Sequence, residues 1–399
     1  MSVSNLHVME KLKSELRQEL VDNILPYWMI KMPDHVNGGF YGCIDGEDRV
    51  QPLAGKGVVL NARILWTFSA VYRVEKNWEY LKMAERAYAY LQEYFTDKKQ
   101  NGVFWELNYK GEPLNRRKQI YAQGFALYGY SEFYRATGRP EALEAAKNLF
   151  YLIEKYAYDA QNGGYIEALG ENWQIIDDMR LSARDSNTPK SMNTHLHILE
   201  PYTNLLRVWE DPSLIEAQTR LIHVFCDHIV DSRTKHLGLF FDREWNSQDN
   251  GISYGHDIEA SWLLYEAAEV LGNPELIEKV KRLSVEIAEA SYEGLQPDGS
   301  MIYEQTHDGH TDMDRHWWVQ AETIVGSYHA WLLSGDEKYL AVAEKCWEYV
   351  KQHLSDKTNG EWFWSAHADG TQNRKDDKAG FWKCPYHNSR MCMEVFGSK

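Results

Sequence analysis

The feature that most constrains the fold is a short turn element that recurs six times along the chain. Each copy places a glycine, most often after Asn or Asp, ahead of an aromatic or other apolar residue. The aligned glycines stand at positions 38, 102, 163, 238, 299 and 360, at steps of 64, 61, 75, 61 and 61 residues. Asn-Gly and Asp-Gly favour tight turns, and aromatic residues after them suit short strands. So even a spacing predicts six copies of one structural unit.

Pairs of helical patterns lie between these turns. Apolar residues recur with the helical period in twelve segments: residues 6–28, 57–74, 77–95, 119–137, 140–156, 191–209, 212–230, 255–271, 274–292, 316–333, 337–354 and 387–396. Helix-stop signals such as Gly138, Pro212 and Gly335 separate the partners. Six helical hairpins bury their apolar faces best by closing into a ring. The sequence therefore predicts an all-α (α/α)6 barrel with short β-hairpin segments at its mouth, as one domain over residues 1–399. An open helical solenoid is the alternative.

Composition restricts the partners and the compartment. The 399 residues carry a net charge of -16 and contain no basic tract, which argues against nucleic acid and anionic membranes as partners. The five cysteines show no metal-ligand spacing, as expected of free thiols in a reducing compartment. No stretch has the apolar core of a signal peptide or the length of a membrane span. We therefore expect a cytoplasmic protein without a membrane partner, present as a monomer or weak homodimer.

Aromatic residues are numerous, with 15 Trp, 25 Tyr and 13 Phe. Most of them are expected to fill the core between packed helices. Aromatic side chains also form the flat apolar faces on which sugar rings stack. The composition therefore allows a sugar-binding cavity.

Polar and aromatic residues cluster where the inner helices of the ring are expected to begin. In each repeat, the helix that follows the turn element should be the inner one, so all six N-terminal ends open on one mouth. The residues at these starts are Arg63, Tyr121, Asn193, His197, His256, Glu259, Trp317, Trp318, Glu322 and His387. The two longest connections, residues 168–190 and 366–386, contain Asp185 and Trp382 and would line the rim. We expect these side chains to meet in one cavity.

The residue types favour acid/base chemistry without a cofactor. His195 and His197 are two apart, on different sides of a helix, and the chain has no His-Glu-x-x-His motif or Cys cluster, so we predict no metal site. His307, His310 and His316 are close in sequence, but the first two sit in a polar loop and are expected to be solvated. A nucleophile elbow and the phosphate-binding glycine motifs are also absent.

Two histidines facing each other across a cavity could remove a proton from one face of a carbon and return it to the other. That carbon must lie next to a carbonyl, as C2 does in an open-chain aldose. Glu259 could orient His256, and Arg63 could hold an enediolate oxygen. The side chains of Tyr121 and Asn193 can bind hydroxyls, and Trp317 and Trp382 offer stacking faces.

Several longer segments resemble a known family. The segments 190–200 (KSMNTHLHILE), 255–259 (GHDIE) and 382–390 (WKCPYHNSR) resemble the N-acylglucosamine 2-epimerase superfamily, and within it the cellobiose 2-epimerase branch. The segments 60–66 (LNARILW) and 315–322 (RHWWVQAE) agree with this resemblance, which spans essentially the whole chain.

The resemblance implies an (α/α)6 barrel that epimerises C2 of the reducing-end glucose in β-1,4-linked disaccharides without a cofactor. Cellobiose would become glucosyl-mannose and lactose would become epilactose, through ring opening and a cis-enediol; β-1,4-mannobiose is a further expected substrate. His256 and His387 would be the acid/base pair, with His197 assisting. By the same resemblance, Arg63, Tyr121, Asn193, Glu259 and Glu322 surround the reacting sugar, and Asp185 and Trp382 meet the second one.

Other functions stay open at this point. A relative acting on monosaccharides, either a mannose 2-epimerase or an aldose–ketose isomerase, would share the enediol and need few different residues. An inverting glycoside hydrolase on the same barrel could use Glu259 and Glu322 across a scissile bond, but would leave three histidines idle. A non-catalytic sugar-binding protein would need no paired bases.

Overall fold

Helices make up most of the computed structural model, which describes residues 3–398. The α-helices are α1 (Val3–Glu19), α2 (Leu25–Lys31), α3 (Val58–Glu75), α4 (Trp78–Tyr90), α5 (Ile120–Thr137), α6 (Pro140–Tyr156), α7 (Met192–Leu206), α8 (Pro212–Val224), α9 (Tyr254–Leu271), α10 (Pro274–Ser291), α11 (Trp317–Ser334), α12 (Glu337–His353) and α13 (Tyr386–Gly397). A π-helical turn, Leu20–Ile24, joins α1 and α2 into one continuous helix, and further π-helical turns extend α4 and α8. All twelve predicted helices are therefore present, with ends within about three residues of the predicted ones.

The inner helices are α3, α5, α7, α9, α11 and α13. They are buried on nearly every side: in α3, every residue from Val58 to Val71 is buried. The outer helices are amphipathic, as in α10, where only one face is buried. This alternation follows the prediction that the helix after each turn element faces the centre.

The ring closes where α13 meets α3. Trp66 of α3 packs edge-on against Tyr386 of α13, with ring centroids 5.1 Å apart. The remaining inner helices pack side by side in sequence order, and α1 packs outside α13 and α12. The closure confirms the (α/α)6 barrel and excludes the open solenoid.

Short antiparallel strands connect the repeats. They are β1 (Lys56–Gly57), β2 (Glu106–Leu107), β3 (Pro113–Asn115), β4 (Lys118–Gln119), β5 (Ala168–Leu169), β6 (Lys190–Ser191), β7 (Phe240–Phe241), β8 (Ile252–Ser253), β9 (Glu304–Gln305), β10 (Thr311–Asp312), β11 (Arg315–His316) and β12 (Ser365–Ala366). Five times, the strand before an inner helix pairs with the strand after the next turn element: β1 with β2, β4 with β5, β6 with β7, β8 with β9, and β11 with β12. A bridge between Ile44 and Ala379 makes the sixth connection, between the two ends of the chain.

Buried ion pairs tie turn elements to the strands that lead into the inner helices. Lys118, just before α5, donates from Nζ to Oδ2 of Asp97 at 2.7 Å, and both side chains are almost fully buried. The other oxygen of Asp97 accepts backbone N–H groups of its own turn. Lys56 with Asp34 and Lys190 with Asp159 repeat this arrangement. Each pair fixes the start of an inner helix relative to the turn beside it.

The first turn of α7 contains a structural histidine. Nε2 of His195 accepts the backbone N–H of Tyr165 at 2.9 Å, and Nδ1 lies 2.6 Å from the carbonyl oxygen of Ser191. Gln123, at the equivalent position of α5, binds the backbone of Val103 in the same way. Both nitrogens of His195 are thus engaged by backbone, which separates it from its neighbour His197.

Between residues 3 and 398, every helix is too short or too polar to cross a lipid bilayer.

Candidate active site

The predicted site residues on the inner helices form two tiers at one end of the ring. The upper tier stands at the second or third residue of its helix and consists of Tyr121, Asn193, His256, Trp318 and His387. The lower tier stands at the sixth residue and consists of Arg63, His197, Glu259 and Glu322. Because the helices start at a common mouth, equal positions along them lie at equal depth. The sequence register therefore brings these side chains to one end of the ring.

The three histidines bind the protein through the same ring nitrogen. Nδ1 lies 2.6 Å from Glu200 Oε1 in His197, and 2.7 Å from Glu322 Oε1 in His387. In His256, Nδ1 lies 2.7 Å from the hydroxyl of Ser253. No residue between 3 and 398 hydrogen-bonds to Nε2 of any of the three. Each imidazole is thus held through Nδ1, and its Nε2 is free to meet a ligand.

The three imidazoles are also close together. A ring nitrogen each of His197 and His256 and a carboxylate oxygen of Glu259 lie within 4.8 Å of one another. Oε1 of Glu259 is 3.7 Å from Nδ1 of His387. The indole of Trp318 lies 4.7 Å from the ring of His256 and 5.6 Å from that of His387, measured between centroids. His256 and His387 therefore lie against the same aromatic ring.

One buried guanidinium organises the carboxylates beneath the histidines. Arg390 donates from NH2 to Oε1 of Glu259 at 2.7 Å and to Oε1 of Glu322 at 2.6 Å. Its NH1 group donates to Glu200, which also accepts a hydrogen bond from the Tyr386 hydroxyl. Glu200 and Glu322 in turn hold His197 and His387, so Arg390 fixes both histidines through their carboxylates.

Burial keeps the histidines neutral. Burial, together with the neighbouring rings of His197 and His387, lowers the pKa of His256 to about 3. Burial also lowers the pKa of His387 to about 3, against the opposing effect of its hydrogen bond to Glu322. A neutral imidazole that donates through Nδ1 carries a lone pair on Nε2. His387 is therefore prepared to accept a proton at neutral pH.

The pKa values of the two carboxylates bound by Arg390, Glu322 and Glu259, are shifted in opposite directions. Burial alone would raise the pKa of Glu322, but Arg390 and the hydrogen bond from His387 hold it at about 2. Burial raises the pKa of Glu259 well above its ordinary value, and the negative charge of Glu322 adds to this effect. Glu322 thus stays ionised beneath His387, whereas Glu259 accepts a proton more readily.

Several site residues keep a buried polar atom without a hydrogen-bond partner among residues 3–398. These atoms are Nε of Arg63, Oδ1 of Asn193, Oε2 of Glu259 and Nε1 of Trp317. Buried polar groups in proteins are nearly always paired, with protein, water or ligand. Arg63 also donates to the Tyr121 hydroxyl at 2.8 Å. A ligand rich in hydroxyl groups would supply the missing partners.

Asp185 and Trp382 lie at the rim, and neither hydrogen-bonds to the three histidines. The ring of Trp382 packs 5.3 Å from Phe381 and 6.1 Å from Tyr121, on the side of α3 and α5. Asp185 accepts the backbone N–H of Ser182. Burial raises the pKa of Glu304 in β9, and the negative charges of Asp312 and Asp185 add to this effect. Trp382 nevertheless adjoins the site, because Tyr121 also packs 4.9 Å from the ring of His197.

The catalytic cluster could hold a cation only in competition with Arg390. Ligand atoms of Glu259, Glu322 and His387 lie within 4.8 Å of one another, as those of His197, His256 and Glu259 do. Arg390 already binds both carboxylates with a permanent positive charge. The absence of a cofactor from the reaction stays a prediction.

Sequence reasoning missed Glu200, Arg390, Tyr386 and Ser253. Glu200 follows His197 by three residues and Arg390 follows His387 by three, a spacing that puts each pair on one helix face. Both residues lie inside the segments that carried the family resemblance. That periodicity would have identified them.

Comparison with known proteins adds an independent finding. The sequence profile of the N-acylglucosamine 2-epimerase (GlcNAc 2-epimerase) family matches residues 39–390. The chain is 56% identical to a cellobiose 2-epimerase from Bacteroides fragilis over 389 residues, covering 97% of this chain and 99% of that protein.

Solved structures agree. A cellobiose 2-epimerase from Bacillus thermoamylovorans superimposes with a TM-score of 0.94 at 42% identity, covering 97% of this chain and 99% of that one. A D-mannose isomerase, at 19% identity and a TM-score of 0.85 over 96% of this chain and 97% of that one, shares the fold.

Proposed function

The chain belongs to the N-acylglucosamine 2-epimerase family, and we propose that it is a cellobiose 2-epimerase. It epimerises C2 of the reducing-end glucose in β-1,4-linked disaccharides, converting cellobiose to glucosyl-mannose and lactose to epilactose. The observation that carries the mechanism is the pair of neutral imidazoles, His256 and His387, that both lie against Trp318 with Nε2 unpaired. Such a pair can exchange a proton on both faces of one carbon.

The reaction proceeds by proton transfer at C2 of the opened sugar. His387, with Nδ1–H directed at Glu322, removes the C2 proton through Nε2. The C–H electrons form the C1–C2 double bond, and the carbonyl electrons move onto O1 to give the anionic form of a cis-enediol. The imidazolium is stabilised by the ionised Glu322. His256, once it has taken up a proton from solvent, delivers that proton to the opposite face of C2. The electrons on O1 re-form the aldehyde of the other epimer, and His387 returns its proton to solvent. The reverse reaction exchanges the two roles.

The hydrogen-bond partners suit these roles. The Ser253 hydroxyl can accept from Nδ1 of His256 or donate to it, so it serves both protonation states of that ring. Arg63 offers a permanently charged donor for the oxygen that becomes anionic, and Tyr121 is fixed beside it. His197, held by Glu200, assists ring opening. Asp185 and Trp382 at the rim contact the second sugar.

The carboxylate geometry argues against a glycoside hydrolase. An inverting hydrolase needs its two carboxyl groups roughly 6.5–9.5 Å apart, on either side of the scissile bond. Glu259 and Glu322 both accept from the same nitrogen of Arg390, and their nearest oxygens lie within 4.8 Å of each other. They stand side by side beneath the histidines. The similarity to D-mannose isomerase extends only to the fold at 19% identity, so it does not favour isomerisation.

Incubation with cellobiose, lactose, mannose and glucose in deuterated water tests the proposal. We expect deuterium at C2 of the disaccharides and a mannose-configured reducing end. A ketose as the main product would instead indicate an isomerase, and free glucose from cellobiose a hydrolase.

The assignment of the histidines is tested with a matched control. His256→Gln and His387→Gln should each abolish C2 exchange while the helical CD spectrum is kept. His195→Gln alters a buried histidine whose nitrogens both bind backbone, so it should keep the turnover per folded molecule. Retained exchange in the His256 or His387 variant would remove that residue from the mechanism.

A further inference from the structure

Three potential metal ligands alternate along one extended segment at the mouth of the barrel. Asp312 ends β10, Asp314 follows two residues later, and His316 lies in β11. Alternate side chains of an extended chain point to the same face. Accordingly, one carboxylate oxygen of each aspartate and a ring nitrogen of His316 lie within 4.8 Å of one another. We call these three residues the rim cluster.

His316 is buried without a hydrogen-bond partner. Its side chain is only 10% exposed, and its ring stacks on Tyr303 with centroids 4.3 Å apart. Neither ring nitrogen makes a hydrogen bond within the described chain. The nearest carboxylate oxygen, Oδ2 of Asp312, is 3.8 Å from Nε2, which is beyond hydrogen-bond range. The ring nitrogens of His316 are not among the fully enclosed unpaired atoms, so an ion that enters from the mouth can reach them.

Negative charge accumulates around this nitrogen. Glu304 lies opposite Asp312 in the β9–β10 register, so a third carboxylate shares the neighbourhood. Asp314 accepts a hydrogen bond from the Ser365 hydroxyl at 3.1 Å. Within residues 3–398, no lysine or arginine forms an ion pair with Asp312 or Asp314, in contrast to the catalytic carboxylates. Arg184 is near enough to act electrostatically on His316 and Glu304, but it forms no ion pair with either aspartate. The carboxylates of the rim cluster therefore have no direct Lys or Arg partner.

We propose that the rim cluster binds a divalent transition-metal ion, Zn²⁺ or Mn²⁺, through Asp312, Asp314 and Nε2 of His316. One imidazole with two carboxylates is a donor set for these ions, whereas Mg²⁺ and Ca²⁺ prefer oxygen ligands alone. Three protein ligands leave at least one position for water or for a sugar hydroxyl at the mouth.

The geometry permits the contraction that binding requires. Ligands about 2.0 Å from a tetrahedral Zn²⁺ are roughly 3.3 Å apart, less than the present limit of 4.8 Å. The side chains of Asp312 and Asp314 are 32% and 29% exposed, so both can turn towards the nitrogen of the buried His316. His367, which follows β12, has its Nδ1 3.1 Å from Asp314 and would be displaced or join the site.

The sequence did not predict this site: it places His307 and His310 in a polar loop and His316 at the start of a helix. The structure separates them: the side chain of His307 is 71% exposed, whereas His316 is buried under Tyr303. The proposal concerns the rim and does not depend on the proposed epimerase activity.

Metal binding to the chelator-treated full chain, measured by calorimetry with ZnCl₂ or MnCl₂ and without sugar, tests the proposal. We expect one ion per chain. The double variant Asp312→Asn/Asp314→Asn and the single variant His316→Gln should each bind at least tenfold more weakly. His256→Gln, which removes a donor from the cluster in the cavity, should bind as the wild type does.

The proposal is overturned if the wild type shows no saturable binding, if the double variant binds as tightly as the wild type, or if binding is lost in His256→Gln. Melting curves without metal show whether each variant folds. If the double variant does not fold, His316→Gln decides. In a second measurement, Zn²⁺ should raise the melting temperature of the wild type and Mg²⁺ should not; equal shifts would contradict the donor set.

Discussion

The variant Glu322→Gln tests whether Glu322 acts on catalysis by orienting His387 or only stabilises the barrel. Oε1 of Glu322 accepts from Nδ1 of His387 at 2.7 Å and from Arg390 at 2.6 Å, and Oε2 accepts from Trp262 at 3.0 Å. Glutamine has the same shape but only one acceptor oxygen. The NH₂ group of the glutamine would face either the N–H of Trp262 or the N–H groups of His387 and Arg390, and donors that face each other form no hydrogen bond. The His387 imidazolium would also lose its negatively charged partner.

The size of the effect follows from that lost interaction. A hydrogen bond between charged groups contributes about 1.5–3 kcal/mol. If it is made fully in the transition state, its loss lowers kcat/KM roughly 10- to 150-fold. Stability should change less, because Arg390 keeps Glu200 and Glu259 as partners and the repulsion between Glu259 and Glu322 disappears. The measurement is the initial rate of cellobiose epimerisation, with urea unfolding in parallel.

Glu132→Gln is the matched control. Glu132 is fully buried and accepts from Arg73 at 2.8 Å and from Arg135 at 2.7 Å, but it lies near the other end of α5. This variant should lose stability and keep kcat/KM. Equal kcat/KM losses in Glu322→Gln and Glu132→Gln, or wild-type turnover in Glu322→Gln, would refute an orienting role for Glu322.

Three further outcomes are expected. Arg390→Gln should destabilise the barrel by about 3–5 kcal/mol in urea, because buried carboxylates lose their guanidinium; unchanged stability would contradict this. kcat/KM of the wild type should not fall as pH drops through 6.5, since burial keeps the pKa of His256 and His387 at about 3; a limb centred near 6.5 would contradict it. Lys118→Met should weaken stability at neutral pH. Burial raises the pKa of Asp97, but Lys118 holds it below 3.8. The stabilisation by the Lys118–Asp97 ion pair is therefore present above the pKa of unfolded Asp97 and is lost as pH falls through the folded value. Acid and thermal melts of the wild type and Lys118→Met measure it.

The fold could be predicted because its signals are local and repeated. A turn glycine recurs every 61–75 residues, and two segments with helical periodicity lie between successive turns. Each hairpin can therefore be identified from its own residues. The repeat also identified the inner helices, since the helix after each turn is buried on nearly all sides, as α3 shows. Ring closure could be predicted from burial. Six hairpins in an open row would expose apolar faces at both ends, and these faces are buried when α13 packs against α3.

The residues of the candidate site could also be predicted from the sequence, because equal positions on six parallel helices lie at equal depth. Only the tertiary structure decided what each atom does. His195 and His197 differ by two positions, yet one binds backbone through both nitrogens and the other keeps Nε2 free. Arg390 touches Glu200 across 190 residues of sequence.

The physical reason for this division is the range of the forces involved. Helical period and turn propensity depend on neighbours a few residues away, so they can be read along the chain. Hydrogen-bond partners, burial and the resulting pKa values depend on groups that meet only after the ring has closed.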